Sequence, residues 1–226
     1  MIIAIDGPAG SGKTTTAKEV ARRLGFLHLD SGALYRAFAL AACRKGWADA
    51  EGAVDAQWIA GLACVDVGVE VVDGGVTALL EGSRVDDDIR TREVTACASK
   101  VSAFSQIRDR VNAVLRRLAA EYPGGVVCEG RDMGTVVFPE AELKVYMVAE
   151  PGERARRRLL QRGEAVTAER LTAESARLVA RDTYDSQREA SPLRKADSAM
   201  IVDTTRLSFE EQVTQIVQAA QRLDRA

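Results

Sequence analysis

The chain has 226 residues, 46% of them hydrophobic and 28% charged, and a formal net charge of −2. A chain of this length buries about 70% of its unfolded surface, enough for a core without disulfides or metals. The charge balance excludes a strongly basic nucleic-acid binder, and the apolar share excludes a wholly disordered chain. The start, Met1-Ile2-Ile3-Ala4-Ile5-Asp6, has no basic region, and no run of about 18 apolar residues follows anywhere, so neither a signal peptide nor a membrane span is expected.

In chain order, residues 2–5 read as a buried strand, and a loop of unusual composition follows. Gly7-Pro8-Ala9-Gly10-Ser11-Gly12-Lys13-Thr14 fits G-x-x-x-x-G-K-[ST] in full. With this composition, about 0.004 chance matches to that pattern are expected. Glycines let backbone amides curl around phosphate oxygens at a helix N-terminus, where the helix dipole favours negative charge. Lys13 is a point charge for the β- and γ-phosphates, and the Thr14 hydroxyl suits Mg²⁺. These residues, with Thr15 after them, are the candidate nucleotide-phosphate site. Asp6, just before the loop, is either a turn cap or a partner one shell out from the metal.

A helix is expected over 14–24, with Ala17, Val20, Ala21 and Leu24 on one face, then a strand over 26–29 and a helix over 33–44 ending before Gly46. The single histidine, His28, lies in that strand, so a His-rich metal site is excluded, and no G-x-S-x-G elbow supports a serine hydrolase. Val65, Val67, Val69 and Val71 alternate before the turn Asp73-Gly74-Gly75, and residues 76–80 return as the second arm of a hairpin. Helices are expected near 91–103 and 107–121. Further strands fall at 126–128, 143–148 and 200–202, and Ser208 with Glu211 forms a capping box for a last helix. Strands alternating with helices imply a parallel α/β sheet, with residues 62–103 as an inserted lobe. The four cysteines, Cys43, Cys64, Cys97 and Cys128, contain no C-x-x-C and read as buried free thiols in a reducing compartment.

The loop alone admits kinases, switches and motors. The only asparagine, Asn112, precedes alanine, so the N-K-x-D signature of a guanine-reading switch is absent, and motors are usually larger. A small kinase needs an arginine-rich acceptor site. The basic residues include only six lysines, and the arginines fall at telling places. Arg36 follows the second strand, where ligands bind in open α/β sheets. Glu129 and Arg131 follow the strand at 126–128. Glu129 could hold a magnesium-bound water. Arg154, Arg156, Arg157, Arg158 and Arg162 crowd residues 154–162, a stretch without an acid that reads as a patch of positive charge. Arg181, Asp185 and Arg188 share one helical face, either as a solvated ion-pair stripe or as an anion-facing surface.

The ordered motifs D-S-G-A-L-Y-R (30–36), I-R-T-R-E-V (89–94), E-G-R-D-M-G-T-V-V-F-P (129–139) and R-D-x-x-D-x-x-R (181–188), coming after the phosphate loop, resemble the bacterial cytidylate kinase family over essentially the whole chain. Glu129 stands where that family commonly has aspartate, and the acidic character is kept. The resemblance implies the P-loop nucleoside monophosphate kinase fold. That fold is a five-stranded parallel sheet flanked by helices, in a single domain of core 1–61 and 104–226, with a monophosphate-binding lobe at about 62–103 and a lid at about 151–170. It implies transfer from ATP, with Mg²⁺, to CMP or dCMP, in a cytoplasmic monomer without nucleic-acid or membrane partners. Carried onto this sequence, Ser31, Ser99, Arg108 and Asp132 would read the base or its surroundings. Asp185 and Arg181 would hold the sugar, and Arg36, Arg131 and Arg188 the acceptor phosphate. Lys13, Arg131, Arg154, Arg158 and Arg188 would stabilise the charge in transfer.

Overall fold

The structure is a computed structural model that describes residues 1–49 and 51–224. Its strands are β1 (Ile2–Asp6), β2 (Leu27–Asp30), β3 (Val67–Val72), β4 (Gly75–Leu80), β5 (Ser83–Arg84), β6 (Val126–Gly130), β7 (Leu143–Val148) and β8 (Met200–Asp203). Its helices are α1 (Lys13–Leu24), α2 (Ser31–Arg44), α3 (Ala56–Ala63), α4 (Arg92–Val101), α5 (Ser105–Glu121), α6 (Pro151–Gln161), α7 (Ala168–Gln187) and α8 (Phe209–Leu223). None of the described helices is long and apolar enough to cross a membrane. The chain forms two compact units, one of Met1–Leu24 with Val127 onward, the other Gly25–Val126.

In the first unit the strand order is β6-β1-β7-β8. β1 runs parallel to β7 with Ile3 opposite Leu143, and β7 runs parallel to β8 with Val145 opposite Met200. Ile3, Ala4, Ile5, Val127, Cys128 and Met147 are wholly enclosed, as expected of parallel strands covered on both faces. α1 turns Ala17, Val20 and Ala21 inward and packs with α8, which turns Val213, Ile216 and Ala220 inward. Ser208 and Glu211 make the expected reciprocal capping box at the head of α8. α6 and α7 pack together over a small cluster of Ala9, Ala155 and Leu178, closed by Leu171. The loop after β1 and the segment after β6 both leave the carboxyl edge of the parallel strands, the edge where ligands bind in this architecture.

In the second unit β3 and β4 form the expected hairpin, Val67 opposite Leu80 and Val72 opposite Gly75. Its turn places Asp73 and Gly74 at positive φ, +48° and +75°. β2 pairs with β4 in parallel at His28 and Gly75, so His28 is a strand residue. The strand count differs slightly from the expected five plus a hairpin. Two-residue β5 pairs antiparallel with β4, and β4 also pairs with β2. α2 is buried on nearly every side, from Ala33 through Ala42, so it is the central helix of this unit. Asp30, Asp55 and Thr91 cap α2, α3 and α4 by accepting from Ala33, Gln57 and Val94 amides. All four cysteines are free, but only Cys97 and Cys128 are buried. Cys64 is exposed, because it stands at the C-terminal cap of α3.

Candidate active site

Residues 7–12 join β1 to α1. Gly7, Gly10 and Gly12 hold φ of +147°, +79° and +94°, which side-chain-bearing residues rarely adopt. At Gly7 space is also forbidding, since a Cβ would stand 2.1 Å from the Met147 carbonyl oxygen. Thr204 and Gln212, neither evident in the sequence pattern, and Arg157 from the arginine run brace the loop and the first turn of α1. Thr204 Oγ1 donates to Ser11 O at 3.0 Å, Arg157 Nη1 donates to Thr204 Oγ1 at 2.9 Å, and Thr16 Oγ1 donates to Gln212 Oε1 at 3.2 Å. These contacts come from β8, α6 and α8 and its approach, more than a hundred residues away, so local spacing carries no trace of them.

Lys13 is only 6% exposed, and its Nζ folds back to donate to Pro8 O at 2.7 Å and Ser11 Oγ at 3.4 Å. Burial, with the Arg131 guanidinium as a second cause, pushes its ammonium well below the ordinary lysine range, while Glu129 and Asp6 pull the other way. Thr14 Oγ1 donates to Glu129 Oε2 at 3.0 Å, a hydroxyl beside a carboxylate. Such a pair of hard oxygens fits a Mg²⁺ that draws its other ligands from phosphate and water. Asp6 takes the capping alternative. Its Oδ1 and Oδ2 accept the Met133 and Gly134 amides, each at 2.8 Å, and fix the turn Met133–Val137. Burial pushes the Asp6 carboxyl up to about 6, against the lowering effect of those two donors.

The face of α7 is no solvated stripe. Asp185 is 2% exposed, and its Oδ2 accepts from Arg131 Nε at 2.9 Å. Arg188 Nη1 stands 3.8 Å from Asp185 Oδ1, and its Nε donates to Ser191 O at 2.7 Å. One carboxylate therefore anchors two arginines from different segments. Asp132, next to Arg131, is buried, and Arg181 lies one turn before Asp185 on α7.

The arginines of α6 are less positive in their surroundings than the sequence suggested. Arg156 and Arg157 pair with Glu153, one residue outside the acid-free stretch. Arg162 pairs with Glu164 and Glu174, and Arg154 with Asp182. Arg158 Nη1 donates to Gln161 Oε1 at 3.0 Å. The neutralising acids arrive at helical spacing or through the α6–α7 packing, so a window of nine residues does not contain them.

Within the second unit lie Ser31, Arg36, Ser99 and Arg108. Ser31, buried, opens α2. Arg36 Nη1 faces Asp30 Oδ2 at 3.8 Å without a hydrogen-bond partner among the described residues. Ser99 Oγ on α4 and Asn112 Oδ1 on α5 are likewise buried and unpartnered atoms, a state that an incoming polar ligand relieves. Arg108 Nη1 donates to Ser102 O at 2.9 Å, and its guanidinium lies 5.3 Å from the Tyr35 ring centroid.

Comparison with known proteins gives the family of the chain. A family model described as cytidylate kinase matches residues 3–222. The chain is 42% identical over 231 residues to a cytidylate kinase of Geobacter sulfurreducens, covering 100% of this chain and 95% of that one. It is 45% identical over 228 residues to a cytidylate kinase of Pseudomonas aeruginosa, covering 98% and 95%. Among solved structures, an uncharacterized protein from Eubacterium ventriosum is similar in fold, with a TM-score of 0.52 at 13% identity over 98% of each chain.

Proposed function

The chain belongs to the cytidylate kinase family and transfers a phosphoryl group from ATP to CMP or dCMP; from that premise we propose which of its residues carry each part of the reaction. The observation that carries the reading is the position of Arg131. Its charge bears on Lys13 on the donor side, and its Nε pairs with Asp185 on the acceptor side.

On the donor side, the amides of Gly7, Gly10, Ser11, Gly12, Lys13, Thr14 and Thr15 form the cradle for the ATP phosphates, Pro8 and Ala9 complete its turn, and Lys13 supplies a movable charge. Triphosphate gives the buried ammonium the counter-charge that the free loop replaces with Pro8 O and Ser11 Oγ. Thr14 and Glu129 would hold Mg²⁺, which when bound neutralises charge on the β- and γ-phosphates. On the acceptor side, Arg36, Arg131 and Arg188 take the monophosphate, Asp185 and Arg181 the sugar, and Ser31, Ser99, Arg108 and Asp132 the base. The unpartnered Arg36 Nη1 and Ser99 Oγ support that assignment.

A nucleotide monophosphate has a second pKa near 6, so its attacking oxygen is already ionised at neutral pH and no strong general base is required. What remains is to bring two polyanions together and neutralise the transferring group. Lys13, Arg131, Arg154, Arg158 and Arg188 are the residues placed in that role. Residues 151–170 act as a lid that excludes water, and residues 62–103 form the monophosphate-binding lobe. The reading extends to a monomer working in the cytoplasm on small-molecule nucleotides. An ADP-release assay over CMP, dCMP, UMP, AMP, GMP and shikimate tests it. Fastest turnover is expected with CMP or dCMP, and faster turnover with any other acceptor contradicts it.

A further inference from the structure

α7 carries two acids three residues apart, and they serve different parts of the site. Asp185 holds Arg131 and Arg188. Asp182 faces the donor loop. Its Oδ1 accepts the Ala9 amide at 2.9 Å, and its Oδ2 pairs with Arg154 Nη1. The same Nη1 donates to Ala9 O at 2.9 Å. One ion pair thus takes both backbone groups of Ala9, at the outer turn of the phosphate loop.

Arg154 is 5% exposed, and its Nε has no hydrogen-bond partner among the described residues. Its guanidinium is held on one side and leaves a donor uncommitted. Ala9 itself is buried against Ala155 and Leu178, so the loop's outer turn is seated on the α6–α7 pair. The ion pair borders an open surface groove lined by Arg154, Val179, Asp182, Thr183, Ser186 and Gln187.

We propose that Asp182 is a positioning residue for phosphoryl transfer, fixing the phosphate loop at Ala9 and orienting Arg154 toward the triphosphate. The inference rests on the reading of the loop as the ATP site. Charge-assisted hydrogen bonds are short and directional, and a preset loop loses less freedom when ATP binds. α7 then sets the register of both halves of the reaction, the donor loop through Asp182 and the acceptor arginines through Asp185.

Steady-state kinetics of Asp182→Ala and Asp182→Asn, with both substrates varied, test the assignment, and thermal midpoints are recorded alongside. Asp182→Ala is expected to raise the KM for ATP about tenfold and lower kcat about tenfold, while the KM for CMP stays within about twofold. Asp182→Asn, which keeps an acceptor for the Ala9 amide, is expected to fall between Asp182→Ala and the parent. Adding Arg154→Ala to Asp182→Ala should cost little more than the larger single effect, because the pair acts as a unit. An unchanged KM for ATP, equal rises in both KM values, or multiplied losses in the double variant overturn the proposal. If Asp182→Ala does not fold, Asp182→Asn decides by the same KM split. Absence of CDP from the unaltered protein with ATP and CMP would instead overturn the functional reading beneath it.

Discussion

Nine contiguous residues, 7–15, make the donor loop, whereas the acceptor cluster takes Arg131 from the end of β6 and Asp185 and Arg188 from the end of α7. The loop owes its shape to backbone conformation, with three glycines at positive φ and one closed against Met147 O. The cluster owes its shape to charge, with two arginines on one buried carboxylate. Backbone shape is robust to most side-chain changes, while a cluster built on one anion fails when that anion is lost. The two halves should therefore respond to substitution in different ways.

The largest effect is expected at Lys13, the loop's only charged side chain. Lys13→Ala should lower kcat by about a thousandfold, a loss of about 4 kcal/mol in transition-state stabilisation, with a smaller change in the KM for CMP. Initial rates at saturating CMP check it, and a loss confined to the acceptor side would erase the distinction between the halves.

Asp6, the last residue before the donor loop, holds the turn Met133–Val137 by two backbone amides. Burial pushes its carboxyl up to about 6 in the folded protein, against an ordinary 3.8. Between those values the folded chain keeps a proton that the unfolded chain has released, so stability falls as pH rises through about 4 to 6 and the full cost stands above that window. Relative to the parent, Asp6→Asn should lack that decline, a difference of about 3 kcal/mol between pH 4 and 7 in denaturant titrations. Parallel curves for the two proteins would contradict the assignment. On the acceptor side, Asp185→Asn should lower kcat/KM for CMP about a hundredfold by releasing Arg131 and Arg188 together, with ATP binding changed far less. Competition titrations of the two nucleotides would show it.

The same contrast explains what was legible in the sequence. The loop is contiguous, so its pattern and its strand-and-helix setting could be read directly, as could the runs that became β1, β6, β7 and β8 and the Ser208–Glu211 box. The spacing of Arg181, Asp185 and Arg188 gave their shared face but left open whether it was solvated; burial of Asp185 decides that. Asp182 stood inside the same motif unnoticed, because its partner Ala9 is 173 residues away. The five arginines of 154–162 read as uncompensated because Glu153, Glu174 and Asp182 lie outside that window. Thr204 and Gln212 had no signal at all, since a threonine or glutamine bracing a loop through one hydrogen bond leaves no periodic trace.

The central claim is that the donor and acceptor halves, though both held by α7, rest on different side chains and can be weakened separately. Calorimetric titration of Arg188→Ala with CMP and, independently, with a non-hydrolysable ATP analogue tests it most directly. CMP affinity should fall about tenfold while the analogue binds within about twofold of its affinity for the parent protein. Equal weakening of both nucleotides would contradict the account.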